Sequence, residues 1–215
     1  QEAFVDRDGT LFPKDTFFDK LAKAGGADHF AVTNFHAYKP DSHDTSVADV
    51  ARQVRRKMAT YGFGDQPLWI TETNAGDNPA KFEASRTFCA RNIVEALAGG
   101  VDRVFWWNTI DYPGESPTLQ LGLFSSTGQP RPAFFSFLTT TRMLAGLTHV
   151  DEVKIDGVSA YRSSGGGRTV TVIWDDAGRT VDVGTGVSAF DDFGNPLIAT
   201  GRIKLDRHAL FLVSA

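Results

Sequence analysis

The chain contains a single cysteine, Cys89, so it can form no intrachain disulfide. It contains no apolar run long enough to span a bilayer, which excludes a transmembrane helix. Positive charge is not in excess: the formal net charge is −4, and no basic stripe suggests nucleic acid as a partner. A phosphate loop is also lacking, because Gly165-Gly166-Gly167 has neither the Lys-Ser/Thr ending nor a following helix. No EF-hand spacing or terminal Glu accompanies Asp175-Asp176 or Asp191-Asp192, which read as turns. Asp41, His43 and Asp44 crowd one loop too closely for clean metal geometry and read as solvated. Neither a metal nor a cofactor is expected. The chain opens on Gln1 rather than Met, with no legible signal peptide. A segment removed upstream is therefore expected, and the compartment stays open.

What is present is an ordinary globular composition of 215 residues, 41% hydrophobic, which is enough to bury a core. Aromatic content is somewhat high at 12%, so the rings serve either a core or a sugar-binding cleft. Along residues 1–147 helices alternate with strands. Pro13 near a start and Gly25-Gly26 at an end bracket a first helix. HFAVTNFHAYKP has strand character, and a helix from about Ser46 to Tyr61 places Val47, Val50, Val54 and Met58 on one face. PLWITETN is a strand. The following helix carries Cys89, Ile93 and Ala96 on one side, which makes Cys89 a buried structural thiol. VDRVFWWNTID is a third strand, and PAFFSFLTTTRMLAGL a last helix.

That order predicts a parallel sheet with helical crossovers. The continuous runs LWI and VFWW predict strands buried on both faces. From about Thr148 onward VKIDGVSAYRS, RTVTVIWDD, RTVDVGTG, VSAFDDFGN, RIKLD and HALFLVSA are short, β-branched and separated by turns. This pattern predicts an antiparallel β-sandwich over 148–215, with Gly165–Gly167 as a hairpin tip. Tyr161, Trp174 and Phe190 there fit core positions as well as exposed ones.

All three strands of the first region become polar at their carboxyl ends, where parallel α/β folds place their chemistry. The ends are Asn34-Phe35-His36-Ala37-Tyr38, Thr71-Glu72-Thr73-Asn74 and Phe105-Trp106-Trp107-Asn108 with Asp111. Side by side, they would bring a carboxylate, an imidazole or phenol, and an indole to one pocket. That set suits sugar chemistry: the carboxylate attacks an anomeric carbon and the indole packs on a sugar ring.

HAYKP, LWITETNAG, RVFWWNTID and LGLFSSTGQPRPAFFSF, in this order and spacing, resemble the sixth, seventh and eighth strand regions of clan-A glycoside hydrolases. The resemblance implies the last three strands and helices of a (β/α)₈ barrel over 1–147, followed by an accessory β-sandwich. It implies Glu72 as the catalytic nucleophile of a retaining enzyme, Trp106 or Trp107 as the subsite indole, and His36 and Tyr38 as partners of the nucleophile or the sugar. Two residues apart, His36 and Tyr38 can share a face, with Asn34 deeper on it. A carbohydrate is the implied substrate.

One part of the pattern is missing. Retaining enzymes need a second carboxyl as acid/base, which in this clan follows an Asn, and no Asn-Glu pair occurs here. Glu2, Glu83, Glu95 and Glu115 are poorly placed to substitute for it. Three strands also cannot close a barrel. The inward faces of Ile70, Phe105 and their neighbours would meet no opposing layer, so the N-terminal half of the barrel is an expected partner, and the chain alone should hydrolyse poorly. The rival readings are a protein that binds a glycan without cleaving it, and an unrelated α/β module in which Thr-Glu-Thr is coincidental.

Overall fold

The computed structural model describes residues 17–38, 46–74, 82–114, 120–155, 157–198 and 201–215. α1 (Phe17–Lys23) and a 3₁₀ turn (Gly26–His29) lead into β1 (Thr33–His36), α2 (Val47–Thr60) and β2 (Leu68–Thr73). α3 (Phe82–Ala98), β3 (Arg103–Trp106) and α4 (Pro132–Leu144) follow. The start expected at Pro13 and the end of the strand expected at Pro40 lie outside the described residues, as do Asp41, His43 and Asp44. The beginning of that strand is shortened by the 3₁₀ turn.

β1, β2 and β3 pair in parallel, in that order. α2 forms where the pattern predicts it. Ser46 caps it by accepting the Asp49 N–H, and the buried Glu95 carboxylate of α3 accepts the Val47 N–H at 2.8 Å. An anion at a helix N-terminus satisfies an orphan donor and meets the positive end of the dipole. Val47, Val54 and Met58 are buried against Phe35, Leu68 and Ile70. Flanking that buried face, Arg55 donates to the carbonyls of Gly64, Gln66 and Gly100 and to Asp102, tying together the entries to β2 and β3.

α3 packs on several sides at once. Ala90 and Val94 meet the antiparallel sheet, Cys89 and Ile93 meet Trp106, Leu123 and Ala133, and Ala96 joins the core beneath β1 and β2. A helix surrounded in this way needs no single apolar stripe. Its end approaches α2 so closely that a Cβ on Gly99 would lie 2.6 Å from that of Ala51.

The remaining strands are β4 (Thr148–Glu152), β5 (Ser159–Gly165), β6 (Arg168–Trp174), β7 (Thr180–Asp182), β8 (Ser188–Phe190), β9 (Pro196–Leu197), β10 (Arg202–Lys204) and β11 (Leu210–Ser214). Six of them form one antiparallel sheet, β4-β5-β6-β11-β8-β9, and β7 pairs with β10. The β5–β6 hairpin turns at Gly166 and Gly167, both at positive φ, as the glycine run predicts. β4 lies over THVDE rather than the expected VKID, of which Ile155 makes an isolated bridge to Val158. Along β6, Val170, Val172 and Trp174 face α3, while Ile173 faces the cluster with Val181 and Ile203. Tyr161 and Trp174 are core residues, stacked at 5.3 Å.

Two forks join α3 to this sheet. Arg86 Nε and Nη2 donate to the two Asp192 oxygens at 2.8 Å, and Arg91 pairs with Asp176 beside the Trp174 ring. Asp191 accepts the N–H groups of Phe193 and Asn195, consistent with the turn reading of this acidic pair.

Burial of the parallel strands on both faces does not hold. Their helix-facing residues Phe35, Leu68 and Ile70 are buried, but on the other face Asn34 and Arg103 are exposed and Phe105 is 45% exposed. Ile70 is likewise corrected: strand alternation turns it toward the helices, where it is fully buried, and it does not belong to the open face. The run LWI is continuous because Trp69 lies half-buried on the open side beside Phe105, with ring centroids 5.8 Å apart.

Candidate active site

Alternation alone would send Glu72 to the same side as Ile70, into the helix-facing core. The strand avoids this with a bulge. Ile70 pairs with Val104 and Thr73 with Trp106, so two residues of β2, Thr71 and Glu72, oppose the single Phe105. On the other side Phe35 pairs with Ile70 while the next residue, His36, pairs with Glu72. One extra residue reverses the facing of everything beyond it. Thr73 is returned to the buried side, and Glu72 is delivered to the open face beside His36. Thr71 braces the bulge by donating its hydroxyl to Asn34 Oδ1 at 3.1 Å.

The carboxylate is held by one oxygen. Tyr38 donates its hydroxyl to Glu72 Oε2, and His36 Nδ1 lies 3.1 Å from the same atom. The two rings meet edge to face at 6.2 Å, which fixes both. Among the described residues nothing hydrogen-bonds Oε1. The side chains of Glu72 and His36 are each 29% exposed, so the free oxygen can be reached from the open face.

Behind Glu72 the strand ends are laced together. Ala37 N–H donates to the Glu72 carbonyl, Trp107 N–H to the Thr73 carbonyl, and Thr73 Oγ1 to the Ala37 carbonyl at 2.7 Å. The fully buried Asn74 donates from Nδ2 to the Trp107 carbonyl at 2.7 Å, and Asn92 of α3 donates to Thr73 Oγ1. Thr73, Asn74 and Asn92 were not singled out as supports from sequence. Only the polar run Thr-Glu-Thr-Asn at an apolar strand's end hints at the first two.

The tryptophan pair separates. Trp106 is buried among Cys89, Ile93, Leu123 and Ala133, and its Nε1 donates to the Leu121 carbonyl at 3.4 Å. It faces α3 and α4, so its expected substrate contact is withdrawn. Trp107 is half-buried and lies just past the end of β3, its N–H still bonded to the Thr73 carbonyl; strand alternation carried one residue further assigns it the side of Phe105.

The segment beyond Trp107 is anchored by Asp111, which pairs with Arg131 and accepts the Gly122 N–H at 2.7 Å. Arg131 also donates to the carbonyls of Gln120 and Gly122. A Cβ on Gly122 would meet Asp111 Oδ1 and the Phe124 carbonyl at 2.7 Å, which accounts for glycine in LGLF. Pro132 then occupies the first turn of α4, so GQPRPAF reads as an anchor followed by a helix start.

No second carboxylate stands on the open face among the described residues. Glu95 caps α2, Glu152 pairs with Arg52 and Asp111 with Arg131. Glu2, Glu115 and the Glu83 side chain lie outside the described residues. Among the described residues no cluster of His, Cys, Asp or Glu could hold a metal, and no helix is long and apolar enough to cross a membrane.

No family model matches the chain, and no curated protein matches it in sequence. Solved structures do match it in fold. A family 39 glycoside hydrolase from Bacteroides cellulosilyticus WH2 superposes with a TM-score of 0.76 at 16% identity, over 93% of this chain and 47% of that one. A family 39 β-xylosidase from Caulobacter crescentus gives 0.58 at 16% identity, over 92% and 54%. A family 30 endoxylanase from Clostridium papyrosolvens C71 gives 0.53 at 14% identity, over 97% and 58%. The chain spans about half the length of these structures, and its α/β fold is that of their C-terminal part. At such identities the likeness is one of fold.

Proposed function

We propose, with that shared fold as premise, that the chain is the C-terminal half of a retaining β-glycoside hydrolase. In this reading β1, β2 and β3 are the last three strands of a (β/α)₈ barrel spanning 1–147. Residues 148–215 form a β-sandwich that buttresses it through α3. Glu72 is the nucleophile. Its Oε1 attacks the anomeric carbon of an oligo- or polysaccharide, the bond to the leaving oxygen breaks, and a glycosyl ester forms on the carboxylate. A carboxylic acid on the absent half protonates the leaving oxygen and then takes a proton from the water that hydrolyses the ester. His36 and Tyr38 hold Oε2, leaving Oε1 for attack, and Trp107 forms the platform under the sugar. The observation that carries the reading is the bulge, which spends one residue of a regular strand to turn a carboxylate out of the core and onto the imidazole and phenol.

The acid/base residue is absent from the described open face, so the isolated chain is expected to hydrolyse glycosides poorly. Glu72→Gln in the complete enzyme should lower kcat by roughly 10⁴-fold or more. At a part-exposed position the same change should leave stability within about 1 kcal/mol. Turnover within tenfold of wild type would end the proposal.

A further inference from the structure

On the barrel reading above the open face of β1–β3 is covered by further βα units, and we propose one feature of the surface that covers it. The strand laid along the free edge of β3 would carry an inward-facing aspartate or glutamate that pairs with Arg103. The inference rests on the barrel reading above and adds the chemistry of the covering surface.

Parallel sheets are covered on both faces, and here, among the described residues, helices cover only one. On the other, Asn34, Trp69 and Arg103 stand in register across the three strands. The Arg103 guanidinium lies 5.6 Å from the centre of the Trp69 ring, and Phe105 flanks the same indole. Among the described residues no carboxylate pairs with Arg103. In water such a guanidinium is at little cost. Once covered, it loses its hydration, and stacking on one indole offsets only part of that loss. A covering surface that is apolar throughout is therefore a poor fit, and one that places a carboxylate beside Arg103 is a good one. A second copy of this chain fits badly, because three strands plus three fall short of a closed eight-stranded barrel. It would also bring a second uncompensated guanidinium into the closed interior.

The test is a charge-pair cycle in the longer polypeptide translated from upstream of Gln1. It compares Arg103→Met, the change of the facing acid to its amide, and both together, with Arg103→Lys as the charge-keeping control. Either single change should lower the folding constant by roughly a hundredfold or more, and the double change should lower it by far less than the product of the two. Arg103→Lys should be milder than Arg103→Met; if Arg103→Met does not fold, the uncharged but polar Arg103→Gln takes its place in the cycle. Additive effects would overturn the inference, as would an upstream sequence with no acid at an inward strand position. The readout is folding, so the two ideas fail separately. Hydrolysis by a barrel with Arg103 unpaired overturns only the pairing, and a Glu72→Gln variant with full turnover overturns only the functional reading.

Discussion

The Arg86–Asp192 fork offers a quantitative test of how the antiparallel sheet supports the parallel one. Asp192 is 1% exposed and receives two charge-assisted hydrogen bonds, whereas the Arg86 side chain is 19% exposed and lies 4.1 Å over the Phe193 ring. The two single truncations should therefore differ. Arg86→Met strands a carboxylate with no route to solvent and should cost about 3–5 kcal/mol. Asp192→Asn leaves a guanidinium that can swing toward water while staying on Phe193, and should cost about half as much. At roughly 2–4 °C per kcal/mol for a chain of this length, Arg86→Met should lower Tm by about 6–20 °C. The double variant should recover part of the loss, with a coupling of about 2 kcal/mol. Thermal and urea unfolding followed by near-ultraviolet circular dichroism would measure all four proteins. Equal, additive losses below 1 kcal/mol would refute the argument, and α3 would then be held by its apolar contacts alone.

The tryptophans should separate by assay. Trp106→Ala should cost about 3–5 kcal/mol of stability, because it empties a packed site between α3 and α4. Trp107→Ala should cost less than half of that and instead weaken substrate binding in the complete enzyme; the opposite ranking by urea titration would reverse their assignment. Burial raises the Cys89 thiol above its ordinary range, outweighing the hydrogen bond with Ser136 that favours the thiolate. Ellman's reagent at pH 8 should therefore label Cys89 only as fast as the chain unfolds, and rapid labelling of the native protein would contradict this.

Much of the fold is written in local patterns that a single sequence displays. α2 follows its valine spacing and Ser46 cap, the β5–β6 hairpin follows its glycines, and Cys89, Ile93 and Ala96 are each buried. His36, Tyr38 and Glu72 were legible as one group because each ends a strand of the same parallel set. Three features were not legible, for different physical reasons. The facing of Ile70 and the choice between Trp106 and Trp107 depend on strand parity, which apolar runs such as LWI and VFWW do not reveal. The bulge at Thr71–Glu72 is a mismatch of register between strands and leaves no mark within either one. The roles of Arg55, Arg86 and Arg91 are long-range. Arg55 reads from the sequence only as lying largely outside the valine face of its helix, yet its guanidinium joins groups up to 47 residues away. β6 carries the fully covered strand pattern first expected of β2 and β3, because it lies, as β11 does, between α3 on one side and the β7–β10 cluster on the other.

The proposed function turns on whether Glu72 forms a covalent bond to sugar. The full-length polypeptide would be incubated with a 2-deoxy-2-fluoroglycoside bearing a good leaving group, digested and mapped by mass spectrometry. A nucleophilic Glu72 predicts one glycosyl adduct per molecule, on the peptide containing Ile70-Thr71-Glu72, and none on the Glu72→Gln variant. An adduct on another carboxylate, or equal labelling of that variant, would contradict it.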